Sequence, residues 1–291
     1  MRKEDFDARA REGILILDGA MGSNLRLAGM PAGASTELWA FEHPEVVLEL
    51  QRGYVEAGCD ILYAPTFSAN RLSLGRHGQA GRLEALNRGL VAITRQAAGD
   101  KALVAGDLTT VGEPLEPYGD MEYEELLDIY KEQIAVLAGA GADLLVAETM
   151  LSIDECACAV EAARAVCDLP VMCSLTVDAN GRVLFGGSAA EGVERLQDAG
   201  ACAVGVNCSV GPDQLEAVVA SMKAVARVPL IAKPNAGLPT VDERGVAHYS
   251  MDAERFAGAM EKLVAAGATV VGGCCGTTPE YIRALVRKLR G

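Results

Sequence analysis

One short stretch of the chain reads Ala140-Gly141-Ala142-Asp143-Leu144-Leu145-Val146-Ala147-Glu148. Its glycine suits the C-cap of a helix, because glycine adopts a positive φ at little cost. The run Leu144–Ala147 is apolar throughout rather than alternating, which is typical of a parallel strand covered on both faces. A carboxylate, Glu148, follows directly. The stretch therefore predicts a helix, a buried strand and then a polar residue at the strand's end.

The same order recurs along the chain. The Ala-Gly-Xaa pattern precedes three further predicted strands, at Ala57-Gly58-Cys59, Ala199-Gly200-Ala201 and Ala266-Gly267-Ala268. Short apolar runs predict eight strands in all, which are Ile14–Leu17, Asp60–Tyr63, Leu103–Ala105, Leu144–Ala147, Val171–Leu175, Ala203–Val206, Pro229–Ala232 and Val270–Val271. Amphipathic stretches predict helices between them, at Pro44–Ala57, Leu83–Ala98, Tyr123–Ala140, Ile153–Val166, Ala189–Asp198, Pro212–Ala226 and Ala253–Ala266.

Eight β/α units without an intervening linker predict a single-domain (β/α)8 TIM barrel over residues 1–291. An open doubly wound sheet is the alternative fold. It is less favoured because no Gly-x-Gly-x-x-Gly turn follows any of the predicted strands.

Composition excludes several classes of partner. The chain has 26 basic and 40 acidic residues and a net charge of −14, which does not suit binding to nucleic acid or to an anionic membrane surface. No apolar run is long enough to span a bilayer, and the first residues do not resemble an export signal. We therefore expect a cytoplasmic protein, in which the nine cysteines are not a disulfide framework.

In a barrel of this type, the chemistry is carried at the carboxyl ends of the strands. The residues that follow the predicted strands are therefore the candidates for a functional site: Asp18, Thr66, Asp107, Glu148, Thr176, Asn207-Cys208, Lys233-Pro234-Asn235 and Gly273-Cys274-Cys275.

Three of the nine cysteines stand at these strand ends. Cys208 follows the sixth predicted strand, and Cys274 and Cys275 follow the eighth, ahead of a helix capped by Thr278 with Pro279 at its first position. We expect the positive end of that helix to favour thiolate. Three converging thiolates with a fourth position open are typical of a catalytic zinc site, and they suit the activation of a thiol rather than hydrolysis. A strained vicinal disulfide, or ordinary buried thiols, are the alternatives.

At these positions the sequence resembles the homocysteine S-methyltransferases that have a zinc-binding barrel. The matching segments are Leu17-Asp18-Gly19-Ala20-Met21-Gly22-Ser23, Pro65-Thr66-Phe67-Ser68-Ala69-Asn70, Glu148-Thr149-Met150, Gly205-Val206-Asn207-Cys208-Ser209, Lys233-Pro234-Asn235-Ala236-Gly237 and Gly272-Gly273-Cys274-Cys275-Gly276-Thr277-Thr278-Pro279. Within the family, the first and fourth of these segments are most similar to the homocysteine-binding domain of cobalamin-dependent methionine synthase.

The resemblance implies a role for each of these residues. It implies that Cys208, Cys274 and Cys275 are catalytic residues that bind zinc, with the homocysteine thiolate as the fourth ligand. It further implies that the substrate is bound by Asp18 and Glu148, which would bind its ammonium, and by the backbone around Gly19, Ala20 and Met21, which would bind its carboxylate. The position of Asp18 and Glu148 at strand ends agrees with that role. We expect Asn207 to take part in substrate binding, and Asn207 and Asn235 to order the rim by hydrogen bonds.

The methyl donor is less clearly implied. The chain has no sequence to spare for a cobalamin-binding or folate-binding module, so we expect methylcobalamin to be supplied in trans by a separate corrinoid protein or domain. A small donor of the S-methylmethionine or betaine type, or a different thiol acceptor, is the alternative. Two other interpretations stay open: a redox switch at the Cys274–Cys275 pair, and a zinc barrel that binds a corrinoid protein without catalysis.

Overall fold

The computed structural model describes residues 1–242 and 247–291, and its centre is a barrel of eight parallel strands. The barrel strands are β1 (Leu15–Ile16), β2 (Ile61–Tyr63), β3 (Leu103–Leu108), β4 (Leu144–Met150), β5 (Val171–Leu175), β6 (Ala203–Cys208), β7 (Leu230–Pro234) and β10 (Val270–Val271).

Each barrel strand pairs with its neighbour in the order β1-β10-β7-β6-β5-β4-β3-β2. A parallel bridge between Leu17 and Ile61 joins the two ends of this order, supported by a backbone hydrogen bond of 3.1 Å from Asp18 N–H to the Ile61 carbonyl. The predicted (β/α)8 TIM barrel is therefore confirmed.

Helices surround the barrel. They are α1 (Lys3–Glu12), α2 (Gly22–Leu27), α3 (Thr36–Glu42), α4 (Pro44–Ala57), α5 (Arg71–Arg76), α6 (Leu83–Ala98), α7 (Tyr123–Gly139), α8 (Ile153–Val166), α9 (Ala189–Ala199), α10 (Glu216–Lys223), α11 (Ala253–Ala265) and α12 (Pro279–Arg290), with short 3-10 turns at Ala80–Arg82 and Pro212–Gln214. Within the described part of the chain, none of these helices is long and apolar enough to cross a membrane.

The hydrophobic core has two layers. Residues that point into the barrel, among them Leu17, Ile61 and Val146, form one buried cluster, and a larger cluster fills the space between the strands and the helices. Phe6 of α1 belongs to the inner cluster, and Lys3 of the same helix donates to the Gly200 carbonyl ahead of β6. Helix α1 thus covers the amino-terminal end of the barrel, and the opposite end stays accessible.

The glycines of the Ala-Gly-Xaa pattern all have a positive φ, between 91° at Gly141 and 123° at Gly267. Two of them, Gly58 and Gly200, are left-handed C-caps that donate their N–H groups to the last turn of α4 and α9. The turn chemistry deduced from the repeated pattern is therefore confirmed, and it directs the chain from each helix into the following strand.

The structure also contains elements that the sequence pattern does not predict. Strands β8 (Pro239–Val241) and β9 (Ala247–Tyr249) form an antiparallel hairpin after β7, and helices α2, α3 and α5 lie in the connections that follow β1 and β2. All of them lie in connections that begin at the carboxyl ends of strands, so they add structure at the rim of the barrel.

One close approach gives a test of the barrel packing. A Cβ atom at Gly205 of β6 would lie 2.0 Å from the Ile231 carbonyl oxygen, which is backbone and cannot move aside. We expect Gly205→Ala to lower the free energy of unfolding by at least ~2–3 kcal/mol, as overpacking of a core does. The matched control is Gly258→Ala in α11, where an added Cβ meets nothing within 4 Å and should be neutral or stabilising. Equal urea midpoints for the two variants would contradict the packing described for β6.

Candidate active site and metal centre

Three thiols meet at the accessible end of the barrel. Cys208 is the last residue of β6, and Cys274 and Cys275 lie in the turn after β10. Their sulfur atoms all lie within 4.8 Å of one another, and the Cys208 and Cys275 sulfurs are 4.0 Å apart. Sulfurs bound to one tetrahedral zinc at ~2.3 Å are separated by roughly 3.8 Å. The three thiols therefore need only a small adjustment to hold a zinc ion.

Backbone hydrogen bonds fix the turn that carries the vicinal pair. The N–H of Cys274 donates to the Pro234 carbonyl at 2.7 Å, and the Cys275 carbonyl accepts the N–H of Ala236 at 2.9 Å. Gly276 has a φ of 83° and packs so closely on Tyr249 that a Cβ would lie 2.3 Å from the ring. Gly276 is thus required for the turn to pack against the hairpin.

The backbone is strained at two of the neighbouring strand ends. Thr149, Cys208 and Ser209 have φ values between 57° and 61°, in the left-handed region that side chains rarely adopt. Such a residue costs of order 1–3 kcal/mol and is characteristic of functional sites. Because Cys208 has this left-handed conformation, its side chain departs from the alternation of β6 and lies close to the other two thiols.

Asn207 connects these strained strand ends. Its Oδ1 accepts from the Thr149 N–H and from the Ser174 hydroxyl, both at 2.9 Å. Its Nδ2 donates to Thr149 Oγ1 at 2.7 Å and lies 3.8 Å from the Cys274 sulfur. Asn207 is fully buried. These contacts position Thr149 and Cys274, as expected for a residue that orders the rim, whereas direct contact of Asn207 with substrate stays a prediction.

The crowding of the three thiols raises their pKa values, which opposes the effect expected from the helix end. A hydrogen bond with Cys274 lowers the pKa of Cys208, but the bond with Cys275 and burial outweigh it and raise that pKa to about 11. Cys208 similarly lowers the pKa of Cys275, while Cys274 and burial raise it to about 12. Crowding and partial burial thus favour the protonated thiols, and a bound cation would favour the thiolates.

Beside the thiols lies a buried group of charges. Lys233 of β7 has a side chain only 4% exposed, and its Nζ lies 3.2 Å from Glu148 Oε1 and 3.7 Å from Asp18 Oδ1. The Nζ also lies 4.8 Å from the centre of the Tyr63 ring. Burial raises the pKa of Asp18 to about 7, although Lys233 and the Tyr63 N–H oppose the shift. Burial lowers the pKa of Lys233, but Glu148 and Asp18 reverse that effect and hold it above its usual value.

A cavity of about 260 Å³ connects the thiols with these charges. Its volume is below the ~300–1,000 Å³ of drug-sized sites, which indicates a ligand of amino-acid size. Besides the cysteines and charged residues, the lining includes the turn Gly19–Ser23 and the apolar side chain of Phe67. Within that turn, the Ala20 N–H already donates to Thr277 Oγ1 at 3.1 Å, which leaves its neighbours as the available donors.

Lys233 was expected at a strand end, but its role was not predicted, because a lysine in a sequence shows no partner. Tyr249, which lies beside Cys275 in the hairpin after β7, was not predicted either. Burial and the nearby Cys275 raise the pKa of Tyr249. Asn235, expected to order the rim, is buried with its Oδ1 unpaired among the described residues. Only the short Lys-Pro-Asn motif pointed to this part of the rim.

Comparison with known proteins agrees with this geometry. The sequence model of the homocysteine S-methyltransferase family matches residues 15–289. The chain belongs to the homocysteine S-methyltransferase family. The family match includes all three cysteines of the rim as well as Asp18, Glu148 and Lys233.

Individual relatives place the chain within this family. It is 30% identical over 288 residues to the methionine synthases of Mycobacterium tuberculosis and Mycobacterium leprae, and it spans 24% of their length. The homocysteine methyltransferase MmuM from Escherichia coli, in its oxidized form, is 25% identical and superimposes with a TM-score of 0.80 over 94% of this chain and 96% of its own. A metallated form of MmuM gives a TM-score of 0.79 at 24% identity and supports the fold.

Proposed function

We propose that the protein is a zinc-dependent thiol methyltransferase that converts L-homocysteine to L-methionine. One observation carries the proposal: three converging thiols and a buried group of carboxylates line the same small cavity. The thiols suit a soft metal that binds the substrate sulfur, and the carboxylates suit the substrate ammonium. A single amino-acid thiol would satisfy both ends of the cavity.

Cys208, Cys274 and Cys275 are the residues that would hold the metal, and their spacing fits zinc. When bound, zinc would act as a Lewis acid and lower the pKa of an incoming thiol, so that its thiolate would form near neutral pH. Three thiolates on Zn²⁺ leave a charge of −1, which suits a reactive sulfur better than a hydrolytic water. MmuM has also been solved in a metallated form, which supports metal binding by a barrel of this kind.

The remaining residues would bind and orient the amino acid. In the proposal, Asp18 and Glu148 attract the ammonium, and N–H groups of the Gly19–Met21 turn bind the carboxylate. The thiol loses its proton on binding. Its sulfur then forms the new S–C bond to the methyl group, and the donor keeps the electron pair of the bond that breaks. The cavity walls, including Phe67, exclude water from the reacting sulfur.

For the donor, we propose methylcobalamin supplied in trans by a corrinoid protein or by another domain. The support is the 30% identity to methionine synthases, in which the matching region is about a quarter of the chain. A small sulfonium or ammonium donor is the second candidate. The observation that favours it is that MmuM, a homocysteine methyltransferase, is matched over 96% of its length by this barrel alone.

The test is a donor assay with zinc-loaded protein and homocysteine, in which methionine is the measured product. Free methylcobalamin, S-methylmethionine and betaine are supplied in separate reactions. Methionine from methylcobalamin alone supports the primary proposal, and methionine from S-methylmethionine or betaine supports the second candidate. If homocysteine binds but none of the donors gives methionine, the non-catalytic zinc barrel becomes the better interpretation.

A further inference from the structure

Lys233 already neutralises part of the charge that is proposed to bind the substrate ammonium. Asp18 Oδ2 accepts the Tyr63 N–H at 2.8 Å, and its Oδ1 faces Lys233 Nζ. Glu148 Oε1 faces the same Nζ at 3.2 Å. Apart from this lysine, neither Asp18 Oδ1 nor Glu148 Oε1 has a hydrogen-bond partner among the described residues. A substrate ammonium must therefore share these two carboxylates with a lysine of the protein.

A third carboxylate lines the cavity and has no such partner in the described part of the chain. Asp107 of β3 is 5% exposed, and its Oδ1 is buried without a hydrogen bond among the described residues. Its backbone is held from both sides by Thr66, whose hydroxyl accepts the Asp107 N–H at 3.0 Å and donates to the Asp107 carbonyl at 2.7 Å. The strand end is thus fixed while the carboxylate is left unpaired toward the cavity.

Glu37, a further acid near Asp107, already has hydrogen-bond partners for its carboxylate. Glu37 of α3 accepts the Ser68 N–H at 2.8 Å with one oxygen and the Ser35 hydroxyl at 2.8 Å with the other. Burial raises the pKa of Asp107 well above its usual value; Glu148, Asp18 and Glu37 add to this shift, and Lys233 opposes it. A second cation beside Asp107 would favour its ionised form.

The balance of charges in the cluster also favours a second cation. Asp18, Asp107 and Glu148 carry three negative charges when ionised, and Lys233 supplies one positive charge. A buried charge without a counterion is costly, so the cluster gains from a second ammonium ion. An α-amino acid supplies that ion, whereas a thiol without an amino group does not.

We propose that Asp107 is a specificity-determining residue that binds the ammonium of the thiol substrate, next to the ammonium supplied by Lys233. This inference rests on the proposed function, because it assumes that an amino-acid thiol enters the cavity. In the complex, three carboxylates share two ammonium ions, and Asp107 has the substrate ammonium as its own partner. The enzyme thereby distinguishes an amino-acid thiol from a simple mercapto acid.

The test compares L-homocysteine with 4-mercaptobutanoate, which keeps the thiol and the carboxylate and lacks the amino group. Binding of each thiol to zinc-loaded protein is measured by titration calorimetry for the wild type and for Asp107→Asn. We expect the variant to bind homocysteine about 10- to 100-fold more weakly, the range for a hydrogen bond to a charged group. Its affinity for 4-mercaptobutanoate should be unchanged or higher, because a buried charge has been removed.

Three results would overturn the inference. Equal homocysteine affinity in Asp107→Asn and wild type would show that Asp107 does not touch the ammonium. An equal loss for both thiols would show a general effect on the site rather than on the amino group. Failure of the wild type to bind homocysteine at all would overturn the proposed function and this inference with it.

Two controls accompany the titrations. Asp100→Asn removes the same charge at an exposed position ahead of β3, at the far end of the barrel, and should bind both thiols like the wild type. Zinc content and the thermal midpoint of Asp107→Asn are measured in parallel. Wild-type values for both show that the variant is folded and has an intact metal site, so that a change in binding reports on Asp107.

Discussion

Replacing any one of Cys208, Cys274 or Cys275 by alanine is expected to remove both zinc and methyl transfer. Three thiols within 4.8 Å form the whole metal-binding group in the described part of the chain. Removing one of three ligands should weaken zinc binding by on the order of 10³-fold, a share of the ~10–16 kcal/mol with which thiolate-rich sites hold zinc. Zinc per chain after dialysis and the rate of methionine formation are the measurements.

Cys167→Ala is the control for this set of variants. Cys167 is a free, partly buried thiol at the end of α8 and takes no part in the rim. It should keep one zinc and full activity. A full complement of zinc in any of the three rim variants would remove that cysteine from the ligand set. Loss of two thiols rather than three on oxidation, without any metal, would favour the redox switch.

Lys233→Met is expected to lower the free energy of unfolding by a large amount. This change leaves Asp18, Glu148 and Asp107 without the buried cation that lies 3.2 Å from Glu148 and 3.7 Å from Asp18. Removing one partner of a buried ion pair typically costs ~3–5 kcal/mol. We expect a loss of that order in the free energy of unfolding near pH 8, measured by urea denaturation of metal-free protein.

The loss of stability in Lys233→Met should be larger at high pH than at low pH. A carboxyl whose pKa is raised by folding stabilises the fold at low pH, and this stabilisation is lost as the pH rises through the folded-state pKa. The pKa of Asp18 is already raised to about 7, and removing Lys233 raises it further. The deficit of Lys233→Met should therefore be smaller at pH 5 than at pH 8.

Lys262→Met is the matched control, because Lys262 lies on the exposed face of α11 and should change stability by less than ~0.5 kcal/mol at either pH. A deficit for Lys233→Met that is the same at both pH values would contradict the buried charge cluster.

The repeated helix–glycine–strand pattern was sufficient to predict the barrel. Helices α4, α6 and α8 begin and end where the amphipathic pattern predicted. Their termini include recognisable signals: Pro44 and Gly58 bound α4, Gly99 follows α6, and Ser152 caps the start of α8. The hairpin β8–β9 was missed for a physical reason. Residues Pro239–Val241 are exposed, so no buried face imposes an alternating pattern on them. Helices α2 and α5 have only six residues each, too few to show a period.

The site was predictable where residue types identify their own chemistry. Cysteines at two strand ends predicted the thiol cluster, whereas the cationic partner of Asp18 and Glu148 was implied by the family resemblance. The pairing of Lys233 with both acids was not predictable, because it depends on how far side chains from the ends of the non-adjacent strands β1, β4 and β7 reach into the barrel. The raised pKa values of the thiols also depend on crowding and burial that sequence does not show.

Zinc content combined with the zinc absorption edge during a homocysteine titration tests the central claim most directly. The protein is purified under anaerobic, reducing conditions and loaded with zinc. We predict one zinc per chain, bound by three sulfurs from Cys208, Cys274 and Cys275, with a fourth sulfur added as homocysteine saturates the site. A protein that holds no zinc, or a zinc shell that homocysteine leaves unchanged, would contradict this prediction.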